Sequence, residues 1–90
     1  MLKIWGKLIK DNRIIVDEVS MSQLEDNYQE NLKMCITELC YKFDIATPYW
    51  LKSNIQEYNK RLKTSFDENN FIEEIYFDKF MIEELKQNEK

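Results

Sequence analysis

Ninety residues with 43% hydrophobic and 13% aromatic side chains can close one small core, which excludes a chain disordered throughout. The net charge of −4 opposes a surface built to neutralise phosphate backbones, and the absence of histidine removes the commonest general base and metal ligand. One glycine, Gly6, leaves no glycine-built phosphate loop.

Residues 2–20 read as a β-hairpin. Two β-rich runs flank Asp11-Asn12, a pair that tolerates the positive φ of a tight type I′ turn. A two-residue loop sets Lys10 opposite Arg13, Ile9 opposite Ile14, Leu8 opposite Ile15, Lys7 opposite Val16, Trp5 opposite Glu18 and Ile4 opposite Val19. Alternation then predicts a core face of Leu2, Ile4, Gly6, Leu8, Ile15 and Val19. The second face holds Trp5, Ile9, Ile14 and Val16 among Lys3, Lys7 and Glu18, and it is too apolar for a fully wet surface.

The main helix is expected over 24–43. Tyr28, Leu32, Ile36, Leu39 and Phe43 recur as one stripe. Two capping boxes compete for its start, Ser22 with Glu25 and Asp26 with Gln29. Thr47 before Pro48 reads as the cap of a second helix, with Leu51, Ile55 and Tyr58 as its apolar side. Residues 60–66 suit either an extension of that helix or the beginning of a strand.

Asp67-Glu68-Asn69-Asn70 reads as a turn. Residues 71–85 are apolar on every helical face, so strand and helix both remain open there. The aromatic and β-branched content favours a strand over 76–85, joining the sheet beside residues 2–9. Residues 86–90 read as a polar tail. The expected architecture is α+β: one compact domain over 1–85, with an N-terminal hairpin, one long helix packed on it, a short second helix and a C-terminal strand.

Charge is divided along the chain. Residues 1–64 carry ten Lys or Arg against nine acids, whereas residues 65–90 carry three lysines against eight acids. Pairing within the fold accounts for this if Lys3 and Lys7 lie near the acids of 73–84. Asp67, Glu68, Glu73, Glu74, Asp78, Glu83 and Glu84 form the candidate acidic surface. Asp67, Asn69 and Asp78 fall at calcium-loop spacing, but Phe71 and Ile72 occupy positions that need an oxygen ligand and a glycine. Cys35 and Cys40 flank the helical stripe and read as small buried hydrophobes; with no histidine to complete a metal set, neither metal nor cofactor is expected. Trp5, Tyr41, Tyr49, Trp50, Tyr58 and Tyr76 suit a core or a protein interface better than nucleic-acid stacking in an acidic chain.

Met1-Leu2-Lys3-Ile4-Trp5-Gly6-Lys7 mixes charge with apolar residues, so no secretory signal is expected, and no apolar stretch approaches the roughly 20 residues that span a bilayer. A cytoplasmic protein in a reducing compartment is the expectation. Lysine outnumbers arginine 11 to 2, and isoleucine occurs ten times against one alanine, a usage that points to an AT-rich bacterial or phage genome.

Ile4-Trp5-Gly6-Lys7, Leu39-Cys40-Tyr41 and Phe71-Ile72-Glu73-Glu74-Ile75-Tyr76-Phe77-Asp78 resemble a group of short uncharacterised proteins of AT-rich Gram-positive bacteria. The resemblance implies one compact domain and carries no site over. Two functions are expected from the residues. The first is a non-enzymatic protein-interaction module, binding a partner or a second copy through Trp5, Ile9, Ile14 and Val16. The alternative is an acidic inhibitor of phage type, whose carboxylates occupy the nucleic-acid groove of a basic protein.

Overall fold

The computed structural model describes residues 1–23 and 27–85. Strands β1 (Leu2–Lys10) and β2 (Arg13–Ser22) lead into helices α1 (Tyr28–Phe43) and α2 (Lys52–Arg61), then β3 (Lys63–Phe66), a 3₁₀ turn (Glu68–Asn70) and β4 (Lys79–Glu84). The strands form one antiparallel sheet in the order β2-β1-β4-β3. The protein is α+β, with its C-terminal strand paired to residues 4–9 of β1.

Asp11 and Asn12 both adopt left-handed backbone, at φ 54° and 65°, which is the geometry a two-residue hairpin turn requires. Ile9 pairs with Ile14 as expected, but the register then shifts, so that Leu8 pairs with Val16, Trp5 with Val19 and Ile4 with Ser20. Ile15 is the extra residue of a β-bulge. The bulge overturns the simple alternation predicted for β2. Val19 moves from the core face to the outer face, and Val16 moves the other way, to the side of Leu8. The physical gain lies under α1. Ser20 and Ser22, rather than Val19 and Met21, face the helix and are buried there. The Ser20 hydroxyl donates to Glu38, Cys35 Sγ donates to the Ser20 carbonyl at 3.7 Å, and Ser22 Oγ donates to Asn31 Oδ1 at 3.0 Å.

The helix that makes these contacts begins at Tyr28, the first residue of its stripe, and not at the expected residue 24. Asn27 caps α1, accepting the Glu30 N–H; the two expected capping boxes rely on Glu25 and Asp26, which lie outside the described residues. Asp44 ends α1 in left-handed backbone, with its N–H on the Cys40 and Tyr41 carbonyls. Ile36, Leu39 and Phe43 of the stripe are buried, Leu32 is half-buried and Tyr28 is exposed.

Thr47-Pro48 does not open α2. The cap is Leu51, whose N–H is held by the side chain of Asn54. Residues 60–66 supply both expected structures in turn: α2 runs to Arg61, Leu62 reverses the chain at φ 60°, and β3 follows. The C-terminal strand is shorter than the predicted 76–85, because Phe71 and Phe77 turn into the core and stack edge-on at 5.7 Å before Lys79 enters the sheet.

Both helices cover the same face of the sheet. Beneath them Phe80 meets Phe43 and Phe66 at ring distances of 6.0 and 5.7 Å, and Trp50 meets Phe66 at 5.2 Å. Gly6 lies in β1 under α1, and a Cβ there would sit 2.9 Å from Leu39 Cδ1 and 3.2 Å from Phe80 Cε1. Leu39 and Phe80 are fully buried and have little room to yield. Gly6→Ala is therefore expected to cost about 1–3 kcal/mol by overpacking, read as a lowered denaturant midpoint with unchanged slope; a neutral result would mean that α1 lifts freely from the sheet.

Candidate protein interface

The outer face of the sheet carries neither helix. Register fixes its rows: Met21 beside Lys3; Val19, Trp5, Glu83 and Lys63; Asp17, Lys7, Met81 and Ser65; Ile14, Ile9 and Lys79. Four lysines thus share this face with two carboxylates, in a chain whose net charge is −4. Of the residues expected to form an interface, Trp5, Ile9 and Ile14 do share this face. Val16 does not, because of the bulge, and Val19 and Met21 take its place.

Trp5 is held rather than free. Its indole Nε1 donates to Asp17 Oδ2 at 2.9 Å, and Lys7 Nζ lies 3.8 Å over its ring. The same ammonium stands 3.7 Å from Glu83 Oε1, the pairing of basic β1 with the acidic end anticipated from the charge split. Lys7 thus occupies one face of the ring on which a base could otherwise stack.

β2 is an edge strand, paired on one side only. Ile14, Ile15, Val16, Val19 and Met21 along it are between 38% and 56% exposed. Edge strands are normally kept short, charged or covered, since their unpaired N–H and C=O groups template further pairing. Beside this edge runs a groove of about 460 Å³ between β2 and α1, with exposed Met21 and Met34 on its walls.

The candidate acidic surface is dispersed. Asp67 caps the 3₁₀ turn by accepting the Asn69 N–H, and Asp78 accepts the Asp11 N–H at 2.8 Å, tying the hairpin turn to the start of β4. Glu83 and Glu84 are neighbours on β4 and point to opposite faces. Glu84 Oε1 accepts the hydroxyls of Tyr28 at 2.5 Å and Tyr58 at 3.3 Å. Glu68, Glu73 and Glu74 are simply exposed.

A second concavity, about 360 Å³, lies between the helices and is lined by Leu32, Ile36, Trp50, Ile55, Tyr28 and Tyr58. Its phenols bond each other and Glu84, and Gln29, Lys33, Thr47 and Asn59 complete its polar lining. Burial, with the Glu84 carboxylate second, raises Tyr28 from 10.0 to about 12; burial, with the Tyr28 hydroxyl second, raises Tyr58 further. The native state therefore holds these protons where the unfolded chain releases them. Their contribution is complete below pH 10 and is lost as pH climbs toward and beyond about 12. Urea midpoints should fall over that alkaline window, and Tyr58→Phe should flatten the fall; an equal slope in both proteins would remove the phenols as its cause.

Cys35 and Cys40 are buried, and burial raises both thiols, Cys40 to about 12. Neither has the thiolate character that nucleophilic chemistry needs. Among the described residues no three His, Cys, Asp or Glu side chains converge to hold a metal ion, and no helix is long and apolar enough to cross a membrane. No family model matches the chain, nor does any curated protein or solved structure. Geometry alone is left to carry a functional reading.

Proposed function

We propose that this chain is a non-enzymatic protein-interaction module that binds through the uncovered side of its sheet, with the free edge of β2 as the docking line. The observation that carries this reading is the edge itself: a ten-residue strand with neighbours on one side only and five large apolar side chains exposed along it. Strand addition would satisfy its unpaired backbone groups and bury those side chains together. Trp5, pinned between Asp17 and Lys7, would give the adjoining face a rigid aromatic centre, the kind of residue that dominates interface energetics. The acidic-decoy alternative has less behind it, because Asp67, Asp78, Glu83 and Glu84 are engaged within the fold.

The test is the double variant Ile14→Lys with Val19→Lys. Both sites are exposed, so surface substitution should leave the melting curve within about 0.5 kcal/mol of wild type. Pull-down with quantitative mass spectrometry should show partners or self-copies lost from the variant. Capture undiminished by a folded variant would remove β2 as the binding surface.

A further inference from the structure

Resting on that reading, we infer that the occupant of the β2 edge is β2 of a second copy, running antiparallel about a twofold axis through Val19. The bulge singles out the pairing segment. Ile15 breaks the ladder, while Val16–Ser22 runs without a shift against Leu2–Leu8, so seven regular residues are available past the bulge. Residues directly opposed across an antiparallel pair point to the same face. A strand paired with its own copy must therefore set one residue opposite itself, and the register follows from which one.

Charge eliminates two choices. An axis at Asp17 or at Glu18 would place a carboxylate opposite its own copy at a Cβ separation of roughly 5 Å. Axes at Ser20 and Met21 carry no such clash, but they use only five and three of the seven regular residues. An axis at Val19 uses all seven. It pairs Val16 with Ser22, Asp17 with Met21, Glu18 with Ser20 and Val19 with itself, and none of these four pairs opposes like charges.

The rows on either side fit the same axis. On the outer face Trp5 and Val19 of one copy would continue into Val19 and Trp5 of the second, a four-residue apolar row centred on the twofold. One row away, Asp17 of the second copy would sit between Met21 and its own Lys7. On the helix side, Glu18 keeps its own lysine: Lys42 Nζ lies 3.8 Å from Glu18 and 3.9 Å from Glu38. The groove between β2 and α1, with its exposed Met34, would close against the second α1 instead of facing water. Two four-stranded sheets would become one of eight strands, and the long apolar edge of β2 would disappear.

The register is tested by two lysine substitutions with opposite expectations, read by sedimentation equilibrium over micromolar loading. Wild type should sediment as a dimer. Val19→Lys puts two ammonium groups face to face on the axis and should weaken the dimer at least about tenfold, with an unchanged circular dichroism spectrum. Met21→Lys adds the same charge but faces Asp17 of the second copy, so it should leave the dimer as tight or tighten it. Equal weakening by both substitutions would overturn the Val19 axis. A monomeric wild type would overturn self-pairing altogether. In that case, partners still lost from the Ile14→Lys, Val19→Lys variant would keep β2 as a surface for another protein, and partners retained would remove that reading as well.

Discussion

Asn54→Ala is expected to destabilise the protein by about 3 kcal/mol or more, one of the two largest single losses in the molecule. Asn54 is 5% exposed and makes four hydrogen bonds with its one amide. Its Nδ2 donates to Thr64 Oγ1 at 2.9 Å and to the Ser65 carbonyl at 2.8 Å; its Oδ1 accepts from Leu51 N at 3.0 Å and Asn70 Nδ2 at 2.7 Å. Asn70, itself buried, spends its other amide hydrogen on the Tyr49 carbonyl and accepts the Asp67 N–H. One side chain thus joins the start of α2, strand β3, the 3₁₀ turn and the segment before α2. Truncation leaves several buried donors and acceptors without partners, and each costs about 1–3 kcal/mol. Asn54→Asp separates hydrogen bonding from size. Its carboxylate cannot donate to Ser65, so this variant should be less stable than wild type at neutral pH and recover part of the loss on acidification, as the carboxyl regains a proton. Denaturant melts of both variants across pH check this; a loss below about 1 kcal/mol for the alanine variant would show that water replaces the network.

Phe80→Ala is expected to cost about 3–5 kcal/mol, the range for emptying a buried aromatic site. Phe80 has no exposed surface and meets the rings of Phe43 and Phe66. It is the point at which α1, β3 and β4 converge over Gly6. A domain of this size holds only about 5–13 kcal/mol in total, so the loss should leave a substantial unfolded fraction at physiological temperature. Equilibrium unfolding in urea measures it directly. A change under about 2 kcal/mol would mean that the surrounding rings collapse into the space.

Local chemistry made much of this fold readable. Asp11-Asn12 announced its turn because few other pairs tolerate two consecutive left-handed residues, and the α1 stripe was visible because Ile36, Leu39 and Phe43 keep helical spacing. The bulge was not readable. Alternation contains no mark for an inserted residue, and Ile15 looks like any other strand residue. Only the helix lying over Ser20 and Ser22 gives the shift its reason. Trp5, Ile9 and Ile14 share one face as alternation predicts, but the bulge turns Val16 to the other side and brings Val19 and Met21 onto theirs. Thr47-Pro48 misled for the opposite reason. Its local capping signal is strong, but Tyr49 N bonds the Asn70 carbonyl at 2.7 Å, and that distant contact holds the segment extended. Residues 71–78 resemble a strand in composition because the aromatic rings that fill the core here come from an irregular segment.

The position of β1 between β2 and β4 also sets the order in which the molecule can form. Ile9 pairs with Lys79 and Ile4 with Glu84, so the sheet closes across 70 to 80 residues of intervening chain. Closing so long a loop is entropically costly and belongs to the slow end of small-domain folding. During synthesis at about 5–20 residues per second, the hairpin waits several seconds for β4 to emerge. Throughout that interval the far edge of β1 is bare, and so is the apolar face of Leu2, Ile4 and Leu8. A nascent chain in this state has two adhesive edges instead of one, and crowding of ribosomes on one message would favour mispairing between neighbouring chains. Slower translation after Phe66 should therefore lower the soluble yield, whereas supplying the β4 segment in trans should protect the waiting hairpin.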